Sequence, residues 1–223
     1  MQAENFYWQP CLLAVLIFGV CMPAAAGELQ RLDVGRFSGG QLADWQGKSF
    51  SDETRYELTE LDGKQVIQAR SDGSASGLYR KQRIDLHRYP FLNWEWRIEN
   101  RLNTNDEQTK SGDDYAARIY VVVSGGMFFW KTRALNYVWA NASEKQSVWP
   151  NAFAGRNAMM MALRSSQSDV SEWYTEKRNV LQDLKAVFGE DIRYIDAVAL
   201  MTDTDNSLGR VTAYYGDIFF SSE

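Results

Sequence analysis

The charged turn before an apolar strand is the first place where this sequence could do chemistry. Residues 110–115 read KSGDDY, and residues 115–123 are mostly apolar and rich in β-branched side chains. Successive residues of a strand point to opposite faces, so Asp113 and Asp114 could face one ligand only if a bulge reorients them. Arg118 needs an anionic partner if it is buried. Since Asp114 is four residues from Arg118, the two would share a strand face. They would form either a structural ion pair or part of a binding site. The alternative is that the acidic residues belong to a solvated turn.

A second acidic segment offers oxygen atoms to a metal ion. Residues 201–209 read MTDTDNSLG, in which Asp203, Asp205 and Asn206 resemble the oxygen-rich start of a calcium-binding loop. The later glutamate of an EF-hand is missing, and a turn between two strands also explains these residues, because Asp, Asn and Gly favour turns. Asp217, in the last strand-like segment, is a further candidate ligand. A structural calcium ion is therefore the one cofactor that the sequence indicates.

Aromatic side chains form the third set, because their rings stack on sugars while neighbouring polar groups bind the hydroxyls. At least half of these aromatic side chains are expected in the core, but Trp130 and Trp149 lie beside loop residues and are the best candidates for exposure at the surface. In residues 134–140 (ALNYVWA), Asn136 faces away from its aromatic neighbours. Pairing of this strand with residues 115–123 would bring polar groups and a ring to one face. We therefore predict a ligand-binding surface formed by Asp113, Asp114, Arg118, Trp130 and Asn136.

The first residues predict where the protein works. Cys11 and Cys21, the only cysteines, bound an apolar run that is followed by Pro and three Ala, as in a secretory signal peptide. The run is shorter than the roughly 20 residues of a membrane span. We predict cleavage after Ala26 and a periplasmic or secreted protein without thiols; a retained N-terminal anchor is the alternative. The single histidine, His87, lies in a polar connector, so any catalysis would depend on carboxylates, Tyr, Lys or Arg.

The charge pattern argues against nucleic acid as a partner. The chain has 24 basic and 29 acidic residues, for a formal net charge of −5, and no basic run. Binding to a phosphate backbone requires such a basic surface. An apolar content of 45% favours a folded core over disorder, and no segment after residue 26 is long and apolar enough to span a membrane.

Short strands separated by turns dominate the expected secondary structure. Residues 54–58 and 65–69 flank the pair Asp62-Gly63, which is a strong hairpin signal. Residues 91–98 (FLNWEWRI) alternate apolar and polar positions, as a half-buried strand does. Further strands are expected over 157–163, 194–201 and 211–220, for about ten in all.

One amphipathic helix is expected at about residues 171–188, with Asp169 or Ser171 as its N-cap and Gly189 at its end. A parallel α/β fold would need helices between its strands, and this sequence offers one. We therefore predict a mainly β protein, with a signal peptide at 1–26 and a single antiparallel jelly-roll β-sandwich domain at 27–223 that contains the inserted helix.

Three segments of the chain, GDDYAAR, ALNYVW and MTDTDN, resemble the DUF3047 family of uncharacterised secreted bacterial proteins, with a similarity that extends from about Val34 to Phe220. The first and last strands are also loosely similar to those of galactose-binding-like, carbohydrate-binding jelly rolls. In those domains an Asp of the last strand often holds a calcium ion, and Asp217 matches that position. Fold-level similarity does not by itself establish a function.

Three functions are compatible with these observations. The first is a periplasmic protein that binds a saccharide or cell-envelope glycan, which predicts aromatic rings exposed on a concave face. The alternative is a carboxylate-dependent glycan-active hydrolase or lyase, which requires two carboxylates about 5–10 Å apart in a cleft. The second alternative is a non-catalytic envelope-assembly partner, for which we expect an exposed apolar patch and no cleft.

Overall fold

The computed structural model of the chain describes residues 30–103, 106–127 and 131–223, together with Met1. Residues 2–26 of the predicted signal peptide and Trp130 therefore lie outside the described residues. In chain order the elements are β1 (Arg31–Gly35), a 3-10 turn (Phe37–Gly39), β2 (Gln46–Ser51), β3 (Arg55–Leu61), β4 (Lys64–Asp72), β5 (Ala75–Asp85), β6 (Phe91–Ile98), β7 (Arg118–Val123), β8 (Arg133–Trp139), β9 (Val148–Asn151), β10 (Gly155–Arg164), β11 (Tyr174–Asn179), α1 (Val180–Phe188), β12 (Tyr194–Asp203), β13 (Arg210–Tyr215) and β14 (Ile218–Ser221).

The strands form two seven-stranded sheets. In the first sheet, β13 and β14 lie end to end along one side of β6, with β11 on the other side, and β4, β3 and β1 complete it. The second sheet has the order β2-β5-β12-β7-β8-β10-β9. Successive strands often change sheet, and every pairing is antiparallel except that of β8 with β10. The fold is thus a jelly-roll β-sandwich, as predicted, with one parallel pair in the described part of the chain.

Aromatic side chains join the two sheets at the centre of the core. On β6, Trp94 and Trp96 are buried, and their rings lie 5.4 and 5.9 Å from those of Tyr137 and Trp139 on β8. Ring centroids at this spacing contribute about 0.5–1.5 kcal/mol per pair beyond the burial of their area. The alternation predicted for both strands is confirmed, and it determines which residues of the second sheet point outward.

The hairpin predicted at Asp62-Gly63 is present between β3 and β4. Both residues have positive φ, 53° and 74°, as a type I′ turn requires. The predicted helix is shorter than expected, because residues 174–179 form β11 on the edge of β6. The backbone bonds to β6 favour an extended chain there, so Asn179, whose side chain accepts from the N–H of Gln182, is the N-cap.

The described residues include no helix that is long and apolar enough to cross a membrane.

Candidate functional site

A cavity of about 500 Å³ lies on the outer face of the second sheet, the face turned away from the sandwich core. Its volume falls within the range of small-molecule sites. Polar side chains form much of its wall. They come from β7, β8, the ends of β9 and β12, the loop before β7 and the turn after β12, namely Asp113, Arg118, Asn136, Asn151, Asp203, Asp205 and Asn206.

Strand alternation explains why polar residues face this cavity. On β7, Ile119 and Val121 belong to the core cluster, so Arg118 and Tyr120 point to the opposite face. On β8, Asn136 also points to the outer face, and its side-chain amide donates to the carbonyl of Met159 at 3.1 Å. A polar residue between apolar neighbours was thus a correct indication of an outward-facing position.

Arg118 is held in place by an ion pair and by two aromatic rings. Its Nη2 donates to a carboxylate oxygen of Asp203, and the exposed fractions of the two side chains are only 7% and 2%. The guanidinium carbon lies 5.0 Å from the ring centroid of Tyr115 and 5.6 Å from that of Tyr120. The predicted need for an anionic partner is met, but Asp203 takes the place expected for Asp114.

The expected Asp114–Arg118 pair is absent because the strand begins later than predicted. β7 starts at Arg118, and Asp114 lies in the preceding loop, where four residues of spacing do not define a strand face. The carboxylate of Asp114 is fully buried and accepts from the backbone N–H groups of Asn206 at 3.1 Å and Ser207 at 2.6 Å. Asp114 therefore holds the turn between β12 and β13 against the cavity.

Asp113 points into the cavity, so the two neighbouring aspartates diverge, although both lie in the loop before β7 and not in a strand. Its two carboxylate oxygens accept from Nδ2 of Asn151 at 3.0 and 2.8 Å. The Oδ1 of Asn151 accepts in turn from the backbone N–H groups of Phe153 and Ala154. This chain of hydrogen bonds connects a carboxylate of the cavity wall to the turn that carries Phe153.

Glu107 positions the loop that leads to these aspartates. Its side chain is fully buried, and its carboxylate accepts from the backbone N–H groups of Asn141, Ala142 and Ser143. Asn141 in turn donates from Nδ2 to the carbonyl of Asp114 at 2.8 Å. Two loops of irregular backbone are thus joined beside the cavity by a carboxylate that sequence reasoning did not single out.

Burial changes the acidity of the carboxylates around the cavity. Desolvation raises the pKa of Asp203 well above its ordinary value, although the charge of Arg118 acts in the opposite direction. Desolvation also raises the pKa of Asp113, against the effects of Arg118 and Asn151. Desolvation and then the charge of Asp114 raise the pKa of Asp205. Desolvation lowers the pKa of Arg118, but Asp203 and the other neighbouring acidic groups together outweigh it, so the net shift is upward.

Two exposed phenylalanines lie at the cavity. Phe50 on the edge strand β2 is 67% exposed, and Phe153 in the turn after β9 is 59% exposed. Tyr120 contributes a third ring to the wall. Sequence reasoning missed all three, although Phe50 is the one large apolar residue in the polar segment QGKSFS of β2, and that isolation was an available signal.

The cavity includes six of the residues that the sequence singled out, which are Asp113, Arg118, Asn136, Asp203, Asp205 and Asn206. The predicted ligand-binding surface and the predicted calcium-binding loop therefore lie at the same cavity. Trp130 lies outside the described residues. Trp149 was expected at the surface but is buried, because β9 pairs with β10 at the edge of the sheet and the Trp149 side chain packs with Tyr115, Val138 and Met160.

The carboxylates of Asp114, Asp203 and Asp205 lie within 4.8 Å of one another, which is close enough to hold a metal ion. Asp217 is distant from this group in the fold. Its carboxylate accepts from the backbone N–H of Ser38 at 2.8 Å and from its hydroxyl at 2.7 Å, and Nη2 of Arg31 is 3.9 Å away. Asp217 thus ties the 3-10 turn after β1 to the junction of β13 and β14.

Comparison with solved structures finds proteins of low identity. A family 30 carbohydrate-binding module of a Clostridium thermocellum cellulase is 10% identical, with a TM-score of 0.46 over 81% of this chain and 92% of that one. Endoglucanase cel12A from Rhodothermus marinus is 11% identical, with a TM-score of 0.48 over 87% of this chain and 98% of that one. A mutant of a family 29 carbohydrate-binding module is 9% identical, with a TM-score of 0.40 over 87% of this chain and 93% of that one.

No curated protein matches the chain. A family model does match, over residues 43–219, and these residues include the cavity, α1 and every strand except β1 and the end of β14. The chain belongs to the family described as "Protein of unknown function (DUF3047)".

Proposed function

We propose that this protein binds a saccharide of the cell envelope in the cavity on the second sheet. The observation that supports the proposal is the combination of exposed rings with buried polar groups in one cavity. Phe50 and Phe153 offer apolar faces, and Asp113, Arg118 and Asn136 offer directional hydrogen bonds behind them. Sugars need both kinds of contact, because their rings have apolar faces and polar edges. With the predicted signal peptide, binding would take place in the periplasm or outside the cell.

Alanine substitution of the two phenylalanines tests this proposal. Covering about half of an exposed phenylalanine ring removes roughly 60–80 Å² of apolar area from water, which is about 1.5–2 kcal/mol or a ten- to thirtyfold change in Kd. We expect Phe50→Ala and Phe153→Ala each to weaken binding of the best ligand from a glycan array by that factor. Leu208→Ala is the control, because Leu208 is 78% exposed and does not line the cavity. Equal effects of all three substitutions would refute the proposal.

A glycan-active enzyme is the second candidate, and the position of Asp113 favours it. A carboxyl with a raised pKa at a sugar-sized cavity is suited to donate a proton to a leaving group. Asp205, which also lines the cavity, would be the second carboxylate. Incubation with the bound glycan distinguishes the two functions: reducing ends that appear with the unaltered protein but not with Asp113→Asn identify a hydrolase or a lyase. An assembly partner is less consistent with the fold, since we expected no cleft for that function.

A structural calcium ion is the expected cofactor, and Asp114, Asp203 and Asp205 are the residues that would hold it. Arg118 already supplies a positive charge to Asp203, and backbone N–H groups occupy Asp114, so the donor set is only partly free. An ion that binds the folded state raises Tm by mass action. Melting curves with calcium and with a chelator test this directly, and identical midpoints would eliminate the ion at this group and at Asp217.

A further inference from the structure

The cavity has more negative than positive groups. Asp113, Asp203 and Asp205 line it, Asp114 lies directly behind it, and Arg118 is the one cation among the lining residues of the described chain. Two lysines lie near the rim, each over a phenylalanine ring. The Nζ of Lys48 is 6.0 Å from the centroid of Phe50, and that of Lys110 is 5.4 Å from that of Phe153. Both lysines are exposed, so solvent and salt screen their charges.

The acidic groups are not fully neutralised by their neighbours. Arg118 pairs with Asp203, and the side chain of Asn151 donates to Asp113 without bringing charge. Asp205 receives one hydrogen bond, from Nδ2 of Asn206 at 3.1 Å. Because these carboxylates outnumber the cations among the lining residues, a positive charge placed among them would be attracted. An anionic ligand would instead be repelled by the same carboxylates.

Arg118 adds an independent requirement. Its side chain is more than nine-tenths buried and lines the cavity, and its Nε–H has no acceptor among the described residues. A buried donor without a partner is unfavourable, and a ligand oxygen would supply the missing acceptor. The cavity therefore requires an acceptor oxygen beside Arg118 and a cationic donor beside the carboxylates.

We infer that the ligand is an amino sugar with a free amine, such as an oligosaccharide of glucosamine. Its ring carries an amine next to hydroxyl groups, so one residue of it meets both requirements at once. The ammonium group would lie among Asp113, Asp203 and Asp205, where it would take the place of a calcium ion as the positive charge, and a neighbouring hydroxyl would accept from Nε of Arg118. Phe50 and Phe153 would cover the apolar faces of the sugar. This inference rests on the proposed saccharide-binding function and adds the charge of the ligand to it.

Calorimetric titration of the full chain with four probes tests the inference. The probes are the tetramers of glucosamine, N-acetylglucosamine and glucose, and spermidine, a polyamine without a sugar ring. At about pH 6, where the amine is protonated, we expect the glucosamine tetramer to bind at least about tenfold more tightly than both neutral tetramers. Asp205→Asn removes one lining charge and should abolish most of that preference. Asp169→Asn removes an exposed charge that does not line the cavity and should leave it unchanged.

Each outcome separates the inference from the proposed function. Equal binding of the three tetramers, or preference for a neutral one, would overturn the amine assignment and leave saccharide binding intact. A preference that persists in Asp205→Asn and in Asp113→Asn would overturn the placement of the amine. Binding of spermidine alone, or of no probe, would overturn both the inference and saccharide binding for these sugars.

Discussion

The buried pair Arg118–Asp203 allows the most exact prediction. Asp203→Asn keeps the shape of the side chain and the Oδ1 that accepts from the N–H of Tyr115 at 3.3 Å, but it removes the charge and places an NH2 donor where Oδ2 accepts from Arg118. Two unit charges about 4 Å apart at an effective dielectric constant of about 20 attract by about 4 kcal/mol. Removing one partner of a buried pair typically costs about 3–5 kcal/mol. We expect the lower end, about 3 kcal/mol, because Asp113 also interacts with the charge of Arg118.

Urea unfolding of the variant measures this loss, and thermal melting should show a decrease in Tm of about 6–12 °C for a chain of this length. The double variant Arg118→Met/Asp203→Asn removes both charges and fills the space between the rings of Tyr115 and Tyr120, so it should recover much of the loss. Glu190→Gln breaks the exposed pair with Arg133 and is the control, for which we expect no measurable change. A loss below about 1 kcal/mol for Asp203→Asn, or additive single and double variants, would refute the reasoning.

Three further predictions follow from other parts of the molecule. A Cβ at Gly77 would lie 2.8 Å from the carbonyl oxygen of Leu200, so Gly77→Ala should lower the free energy of unfolding by about 1–3 kcal/mol. Gly47→Ala is the control, because Gly47 has open space around it and its substitution should not lower this free energy. Equal free energies of unfolding for the two variants in urea titrations would contradict the prediction. The raised pKa of Asp113 means that its protonation stabilises the fold fully below about pH 4 and that this contribution is lost as pH rises. The stability of Asp113→Asn relative to the unaltered protein should therefore increase from pH 4 to 7, and a flat difference would show that this pKa is not raised. Mass spectrometry of the protein from its native host should find Gly27 as the first residue; an intact Met1 or a lipid on Cys21 would contradict the predicted cleavage.

Local patterns in the sequence predicted most of the sandwich. Alternation in residues 91–98 and 134–140 identified strands whose apolar faces meet in the core, since strand periodicity is a local property. Asp62-Gly63 identified a hairpin for the same reason. The predicted helix began too early in the chain. The side chains of residues 174–179 are compatible with a helix or a strand, and pairing with β6 selected the strand.

The sequence also indicated which residue types form the site, but it did not indicate which of these residues contact one another. The acidic segments at 113–114 and 203–206 and the lone Arg118 were visible as polar groups beside apolar strands. Nothing local indicated that the two segments meet, because β7 and β12 are joined by hydrogen bonds between residues about 80 positions apart. The same long-range pairing gave Arg118 a different partner from the nearest aspartate in the sequence.

The sequence by itself determined that this chain forms a mainly β sandwich, which acidic segments supply carboxylates beside its strands, and which residues of β7 and β8 face outward. Only the tertiary structure decided that the carboxylates share one cavity, that Asp114 supports it from behind, and that Phe50 and Phe153 lie beside it. The physical reason is that the face of the sheet to which a strand residue points follows from strand alternation, a local pattern that repeats every two residues. A cavity instead depends on strands from both ends of a sheet, β2 and β9, whose positions follow from the packing of the whole sandwich.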